Sequence, residues 1–394
     1  MLVLDFPSIK RRLIGAGIMA IILSVLPINA LTVNAWAQDF DSLAPHAIIM
    51  DYESGEILYE KDARKSVAPA SMTKIMTAEL VFEKIRKGEI SLDTEFTVSE
   101  GAWRRGGTSS GSSTMFLDPK SKVRVEDLLR GVIIQSGNDA CIVLAEGIAG
   151  SESLFADAMT QHAKNIGLES ATFKNATGWP DPAHRISTKD LARLARYTIT
   201  NSPEFYPFYS EKSFTWNKIK QPNRNPLLGS FAGADGLKTG HTEISGYGLV
   251  GSAERNNIRR IIVINGLESQ SARRQEADRM MQAAFERFKV YNLYESGETV
   301  SEIKVYMGKS ETVSIGVENP VVLGLARSKR DGLKTQIRYI EPAAPILTGD
   351  TLAELVISAP GRDEQVIPLI ALEDVKEKSA MQKVISVLLS KIRG

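Results

Sequence analysis

Pro69-Ala70-Ser71-Met72-Thr73-Lys74-Ile75-Met76-Thr77 is the stretch on which the reading of this 394-residue chain turns. Proline suits a first helical turn, and Met72, Ile75, Met76 and Leu80 recur with helical spacing, so a helix is expected to begin near Pro69. Positions i and i+3 share a helical face, which sets the Ser71 hydroxyl beside the Lys74 amine. A serine hydroxyl alone is a weak nucleophile. A neighbouring lysine takes its proton once burial and nearby positive charge depress the amine pKa, and a helix amino terminus favours the forming oxyanion.

The spacing alone is weak evidence, because Ser301-Glu302-Ile303-Lys304 repeats it. That second pair sits in the alternating run Val300 to Tyr306, which reads as a strand. Strand side chains at i and i+3 point to opposite faces, so Lys304 cannot serve Ser301. Two further motifs separate the cases. Ser136-Gly137-Asn138 falls between the helical runs Val125 to Ile134 and Asp139 to Ile148, where a turn can present both polar side chains. Ser136 there could pass a proton between Lys74 and a leaving amine, and Asn138 could hold Lys74 and a substrate amide; a helix cap is the alternative role. Lys238-Thr239-Gly240 falls on an expected strand. A cation and a hydroxyl pointing into a cleft suit a carboxylate, and Gly240 lets a peptide backbone approach as an added strand; a solvated strand end is the alternative. Together the three motifs supply nucleophile, base, relay and anion clamp.

Around them the pattern is α+β. Ala47 to Asp51 and Glu56 to Tyr59 read as a hairpin about Ser54-Gly55. Leu237 to Thr239, Tyr247 to Ala253 and Ile258 to Ile264 read as strands, the last two joined at Glu254-Arg255-Asn256-Asn257. Strands at both ends enclose a helical middle, so the first and last are expected in one sheet. Beyond about residue 292, alternation in Val300 to Tyr306, Glu311 to Val317, Thr335 to Ile340 and Leu352 to Ile357 suggests a small all-β module. Residues 373–394 carry Met381, Val384, Ile385, Leu388, Leu389 and Ile392 as one apolar helical stripe. Within it, residues 375–394 set Lys376, Lys378, Lys383, Lys391 and Arg393 against Glu377, a local charge of +4 that suits an anionic membrane surface; packing on the β module is the alternative.

Lys10, Arg11 and Arg12, an apolar run from Leu13 to Leu26, and Ala35-Trp36-Ala37 have the layout of a secretory signal cleaved after Ala37. The apolar run is shorter than the roughly 20 residues a membrane span needs. Removing residues 1–37, which carry three cations and one acid, takes the formal charge from +1 to −1, so no whole-protein basic field suits nucleic acid. Cys141 is the only cysteine and lies in an apolar run, which excludes an intrachain disulfide and suits a buried small hydrophobe. His46, His162, His184 and His241 lack metal-ligand spacing, and no metal or cofactor is expected. Gly106 to Ser113 invites a phosphate-loop reading but lacks the Gly-Lys-Ser/Thr ending, and is expected instead as a mobile wall near the cleft.

The boxes Ser71-Met72-Thr73-Lys74, Ser136-Gly137-Asn138 and Lys238-Thr239-Gly240 resemble those of the penicillin-binding serine enzymes, with Gly137 where their middle box has Asp. The Ser-Gly-Asn form, the box spacing, Gly111 to Leu117, Asn175-Ala176-Thr177-Gly178-Trp179 and His241 after the third box are similar to the low-molecular-weight D-alanyl-D-alanine carboxypeptidases, an S11-like peptidase family. The resemblance is strong over residues 40–290 and weaker beyond. It implies a penicillin-recognising, β-lactamase/transpeptidase-like domain at 38–292, which the strand alternation and the apolar stripe extend by a β module at 293–372 and a membrane-associating amphipathic helix at 373–394. It implies that Ser71 attacks the carbonyl between two terminal D-alanines of a peptidoglycan stem pentapeptide, and that β-lactams acylate the same serine. Backbone amides of Ser71 and His241 would form the oxyanion hole, and Arg274 would assist Lys238 at the substrate carboxylate. The implied location is periplasmic, on the outer face of the cytoplasmic membrane. A β-lactamase would commonly place Glu-x-x-Leu-Asn between the second and third boxes, and none is present. A D,D-endopeptidase would use the same machinery, and a non-catalytic β-lactam-binding wall protein would not need the whole proton path.

Overall fold

The computed structural model describes residues 40–393, with side chains to residue 386. The expected leader at residues 1–37 lies outside them. The first element is the hairpin His46–Asp51 and Ile57–Lys61. Its first strand pairs with Ile258–Leu267, which pairs with Gly246–Arg255, which pairs with Ala234–Thr242. One five-stranded antiparallel sheet therefore unites both ends of the helical middle, as the strand pattern implied.

Both faces of that sheet are buried, which is why its strands are nearly continuous apolar runs. Ile48, Met50, Ile261 and Val263 enter the larger core, beneath the helices Lys74–Arg86, Asn138–Ala149 and Thr188–Asn201. Their neighbours Ala47, Ile49, Ile262 and Ile264 turn the other way, toward Met280, Met281 and Ala284 of the helix Gln270–Glu286. Asp51 and Arg260, opposite each other across two strands, close this double-sided core with an ion pair.

The β module adds strands missing from the sequence reading. Thr299–Lys304, Thr312–Gly316, Gln365–Ala371, Thr351–Ser358 and Lys334–Tyr339 form one antiparallel sheet in that spatial order, over a core of Val313, Ile315, Leu355 and Leu369. Gln365–Ala371 contains Pro368, which argues against a strand in sequence. The fold tolerates it because the second side of that strand is paired only at Ile370 and Ala371, past the proline. Val321–Ala326 pairs with Phe288–Tyr294, a strand that links the two parts of the chain.

The carboxyl-terminal helix spans Ala380–Arg393, shorter than the 373–394 expected. Val375 and Glu377 instead bridge to Ile346 and Gly308 of the module, so backbone pairing takes residues the helix would have used. Among the described residues no helix is long and apolar enough to cross a membrane.

Candidate active site

The nucleophile segment departs from the expected helix in one detail. Ala70–Thr73 is a 3-10 turn, and the α-helix begins at Lys74. Ser71 therefore stands on the tighter turn, with Lys74 Nζ 3.1 Å from Ser71 Oγ. Nζ also donates to Asn138 Oδ1 at 2.7 Å and to the Thr177 carbonyl at 2.6 Å. Neither oxygen can donate in return. In its charged form the amine donates to all three oxygens, and in its neutral form it satisfies the Asn138 and Thr177 oxygens with its two hydrogens and turns its lone pair to the Ser71 hydroxyl, ready to accept its proton. Burial pushes the Lys74 amine below its usual range, and the positive charge of Arg224 adds to that, against Asp139 and Glu152.

Ser136-Gly137-Asn138 is presented by a backbone device invisible in the sequence. The helix Val125–Arg130 widens into a π-helical turn at Gly131–Gln135, and Ser136 follows with φ 61° before the helix Asn138–Ala149 starts. Ser136 is buried yet borders the same cleft as Ser71. It is not among the three hydrogen-bond partners of Lys74 among the described residues, so the relay expected of it has no direct contact with that amine. Gly137 takes the middle position because a Cβ there would lie 2.8 Å from Asp139 Oδ1 and 2.9 Å from Met115 N. Asp139 fills that space itself, accepting from Met115 N at 2.8 Å and from Thr114 Oγ1 at 2.7 Å.

The wall expected at Gly106 to Ser113 is tied to this turn. Ser112 Oγ accepts from Asn138 Nδ2 at 2.9 Å, and the Ser113 carbonyl accepts from Asn138 N at 2.8 Å. A Cβ on Gly106 would lie 2.3 Å from Asp139 N, so that glycine serves close packing.

Lys238, Thr239, Gly240 and His241 lie on Ala234–Thr242, the edge of the sheet. The two polar side chains expected in the cleft leave the strand on opposite faces. Thr239 lines the cleft, whereas Lys238, adjacent on a pleated strand and so turned to the other face, is buried beneath with its amine 3.4 Å from the Thr239 carbonyl. Burial depresses the Lys238 pKa strongly, with Lys74 and Arg224 adding repulsion. Gly240 also has a different reason from the one expected. The space its Cβ would fill is taken by the Pro69 carbonyl, 2.7 Å away, so the glycine lets the strand press on the nucleophile turn. His241 borders the cleft and stacks its ring on Tyr247 at 3.8 Å.

Arg274 reaches the cleft, but as an exposed side chain. Its neighbour Arg273 is the buried one, 6% exposed, and its charge acts on Lys238. One helical step of 100° separates them, and only Arg273 turns inward. Sequence reading also missed Arg224, whose Nη1 donates to Ser113 Oγ at 2.6 Å, and the Thr177 carbonyl. The resemblance had marked Asn175 to Trp179, without giving the stretch a role. Asn175 Oδ1 accepts from Thr177 N, Gly178 N and Trp179 N, which fixes the loop. Gly178 sits at φ 83°, and a Cβ there would meet the Ala70 carbonyl at 1.9 Å.

His184 supports the same turn from behind. Its Nδ1 accepts from Lys174 N at 3.2 Å, so the proton resides on Nε2, which donates to Thr73 Oγ1 at 2.8 Å. Burial lowers its pKa to about 4. Below pH 6.5 the unfolded chain protonates this histidine while the folded one stays neutral, so stability is lost as pH falls from about 6.5 to about 4, by about 3 kcal/mol at most. Thermal melting over that range is expected to show a smaller pH slope in His184→Gln than in wild type. Equal slopes would contradict this.

Residues 32–269 match the family model described as D-alanyl-D-alanine carboxypeptidase. The chain belongs to the D-alanyl-D-alanine carboxypeptidase family. Residues 288–377 match the carboxyl-terminal domain of penicillin-binding protein 5. This carboxypeptidase family member is 34% identical to the D-alanyl-D-alanine carboxypeptidase DacA of Haemophilus influenzae over 95% of its own length and 98% of that protein. It is 37% identical to DacC of Escherichia coli, over 84% of each chain. The crystal structure of penicillin-binding protein 5 from Haemophilus influenzae superposes with a TM-score of 0.71 at 36% identity, covering 86% of this chain and 99% of that one.

Proposed function

We propose that this carboxypeptidase removes the terminal D-alanine from peptidoglycan stem pentapeptides through an acyl-enzyme on Ser71. The observation that carries the reading is the triple contact of Lys74: a buried amine, depressed in pKa, fixed by two carbonyl oxygens and facing the Ser71 hydroxyl. The substrate lies along the free edge of Ala234–Thr242. Thr239 and Arg273 receive its carboxylate from the cleft, and Lys238 supplies positive potential beneath. Lys74 takes the Ser71 proton as Oγ bonds to the carbonyl carbon, the oxyanion rests on the backbone amides of Ser71 and His241, and Ser136 passes the proton to the leaving amine. Water then cleaves the ester. β-Lactams enter the same path and acylate Ser71.

Free D-alanine from a pentapeptide ending in D-Ala-D-Ala, measured beside a crosslinked dimer, tests this. The pentapeptide is expected to be cleaved faster; the reverse order would make the chain an endopeptidase, and release from neither would leave a β-lactam-binding wall protein.

The proposal places a signal peptide at residues 1–37, the catalytic domain at 38–292, the β module at 293–372 and a membrane-associating segment at 373–394. The enzyme is exported and held peripherally on the outer face of the cytoplasmic membrane. Exposure of Met381, Val384 and Ile385, at 75, 60 and 49%, supports this, because a helix packed on the module would cover them. Truncation after Asp374 is expected to move the enzyme from the membrane to the soluble fraction with peptide hydrolysis nearly intact. Continued sedimentation with membranes, or a lowered melting temperature, would mean that the segment braces the body.

A further inference from the structure

The cleft holds more positive charge than one carboxylate answers. Its volume is about 1060 Å³, at the top of the range of roughly 300–1,000 Å³ that suits drug-sized ligands, so beside the stem peptide it has room for a leaving residue larger than D-alanine. Lys212, Arg224, Arg273 and Arg274 line it, and no aspartate or glutamate does. None of the four pairs with a carboxylate among the described residues. Arg224 bonds only to the Ser113 hydroxyl, and Arg273, although 6% exposed, leaves Nε without a hydrogen-bond partner.

The local backbone sharpens the imbalance. The helix Gln270–Glu286 carries Arg273 at the end of a first turn without an acidic residue, and Arg274 just beyond it, so two cations add to the positive potential of a helix amino terminus; Glu276, in the next turn, is taken by Arg279. That arrangement costs stability unless an anion answers it. By contrast, the helices Glu100–Gly106, Glu152–Asn165 and Thr188–Asn201 all have an acid in the first turn.

The proposed function assigns the substrate's terminal carboxylate to Thr239 and Arg273. Lys212, Arg224 and Arg274 then remain on the cleft wall without a carboxylate. Resting on that reading, we infer that the cleft takes a terminal D-residue whose side chain carries a second carboxylate, of the D-glutamate or D-aspartate class, and that Lys212 and Arg274 receive it. The reaction is unchanged. The amide C–N bond breaks as the Ser71 ester forms, the dianionic amino acid departs with the proton Lys74 accepted, and water hydrolyses the ester.

Three peptides with one acyl part, ending in D-Ala-D-Ala, D-Ala-D-Glu and D-Ala-D-Gln, test the inference. The glutamate and glutamine peptides are nearly isosteric, so their ratio reports charge alone. In wild type kcat/KM is expected to be about tenfold higher for D-Glu than for D-Gln, falling toward one in high salt. In the double variant K212Q/R274Q the ratio is expected to fall to about one; taken within one enzyme, it is insensitive to any loss of folded protein. A wild-type ratio of one or below, or a ratio unchanged in the variant, overturns the inference. Cleavage of D-Ala-D-Ala with neither longer terminus accepted overturns it as well. Failure to release D-alanine from the D-Ala-D-Ala peptide instead overturns the function on which it rests.

Discussion

Ser71→Ala is expected to lower D-alanine release by about 10⁴-fold or more and to abolish labelling by a fluorescent penicillin. Lys378 also brings its amine to 3.1 Å from Ser386, but only Lys74, among the described residues, is a buried amine beside a serine with its remaining contacts fixed, here by Asn138 and Thr177. Ser301→Ala is the matched control, because the same Ser-x-x-Lys spacing occurs there. Ser301 stands on the strand Thr299–Lys304, and its hydroxyl reaches only the Glu302 carbonyl, at 3.4 Å. The control is expected to hydrolyse peptide and take label as wild type does. Stable labelling of Ser71→Ala, or loss of labelling in Ser301→Ala, would contradict the assignment.

Lys238→Ala is expected to reduce kcat/KM for D-Ala-D-Ala peptides by about 10²-fold or more. The buried amine has no carboxylate partner among the described residues, and burial together with Lys74 and Arg224 works against its charged form. A substrate carboxylate arriving above it favours that charge, so carboxylate and lysine stabilise one another. Capping the peptide's terminal carboxylate as an amide should therefore harm wild type far more than Lys238→Ala, with the two losses non-additive by about tenfold. Equal losses in both enzymes would show that Lys238 acts independently of the carboxylate.

What the sequence disclosed follows from the range over which each signal acts. The Ser71–Lys74 pair was legible because i,i+3 spacing is set locally, and the 3-10 turn in place of an α-turn preserved it. Asn138 beside Lys74 needed only the three boxes to converge. The Thr177 carbonyl was out of reach, since a backbone oxygen is the same at every residue and only the tertiary fold brings it to Lys74. Arg224 was missed for a related reason: a lone arginine after a short hairpin carries no pattern. Arg273 and Arg274 are adjacent, and which one faces inward depends on the phase of the helix Gln270–Glu286 against the sheet. Lys238 and Thr239 could have been separated by strand alternation alone, which forbids neighbours from sharing a face. In the β module, Val321–Ala326 lacks alternation and Gln365–Ala371 contains proline, so both strands escaped a reading built on period two.

The central claim is that peptide and β-lactam are both opened by the Ser71 hydroxyl. Its most direct measurement is quenching the wild-type enzyme with acid during turnover of a D-Ala-D-Ala peptide, and separately after exposure to penicillin, then digesting and mapping adducts by mass spectrometry. Both reactions should leave one acyl group per chain on the peptide containing Ser71. An adduct on any other residue, or D-alanine release at full rate with no adduct under conditions that retain the penicillin one, would contradict it.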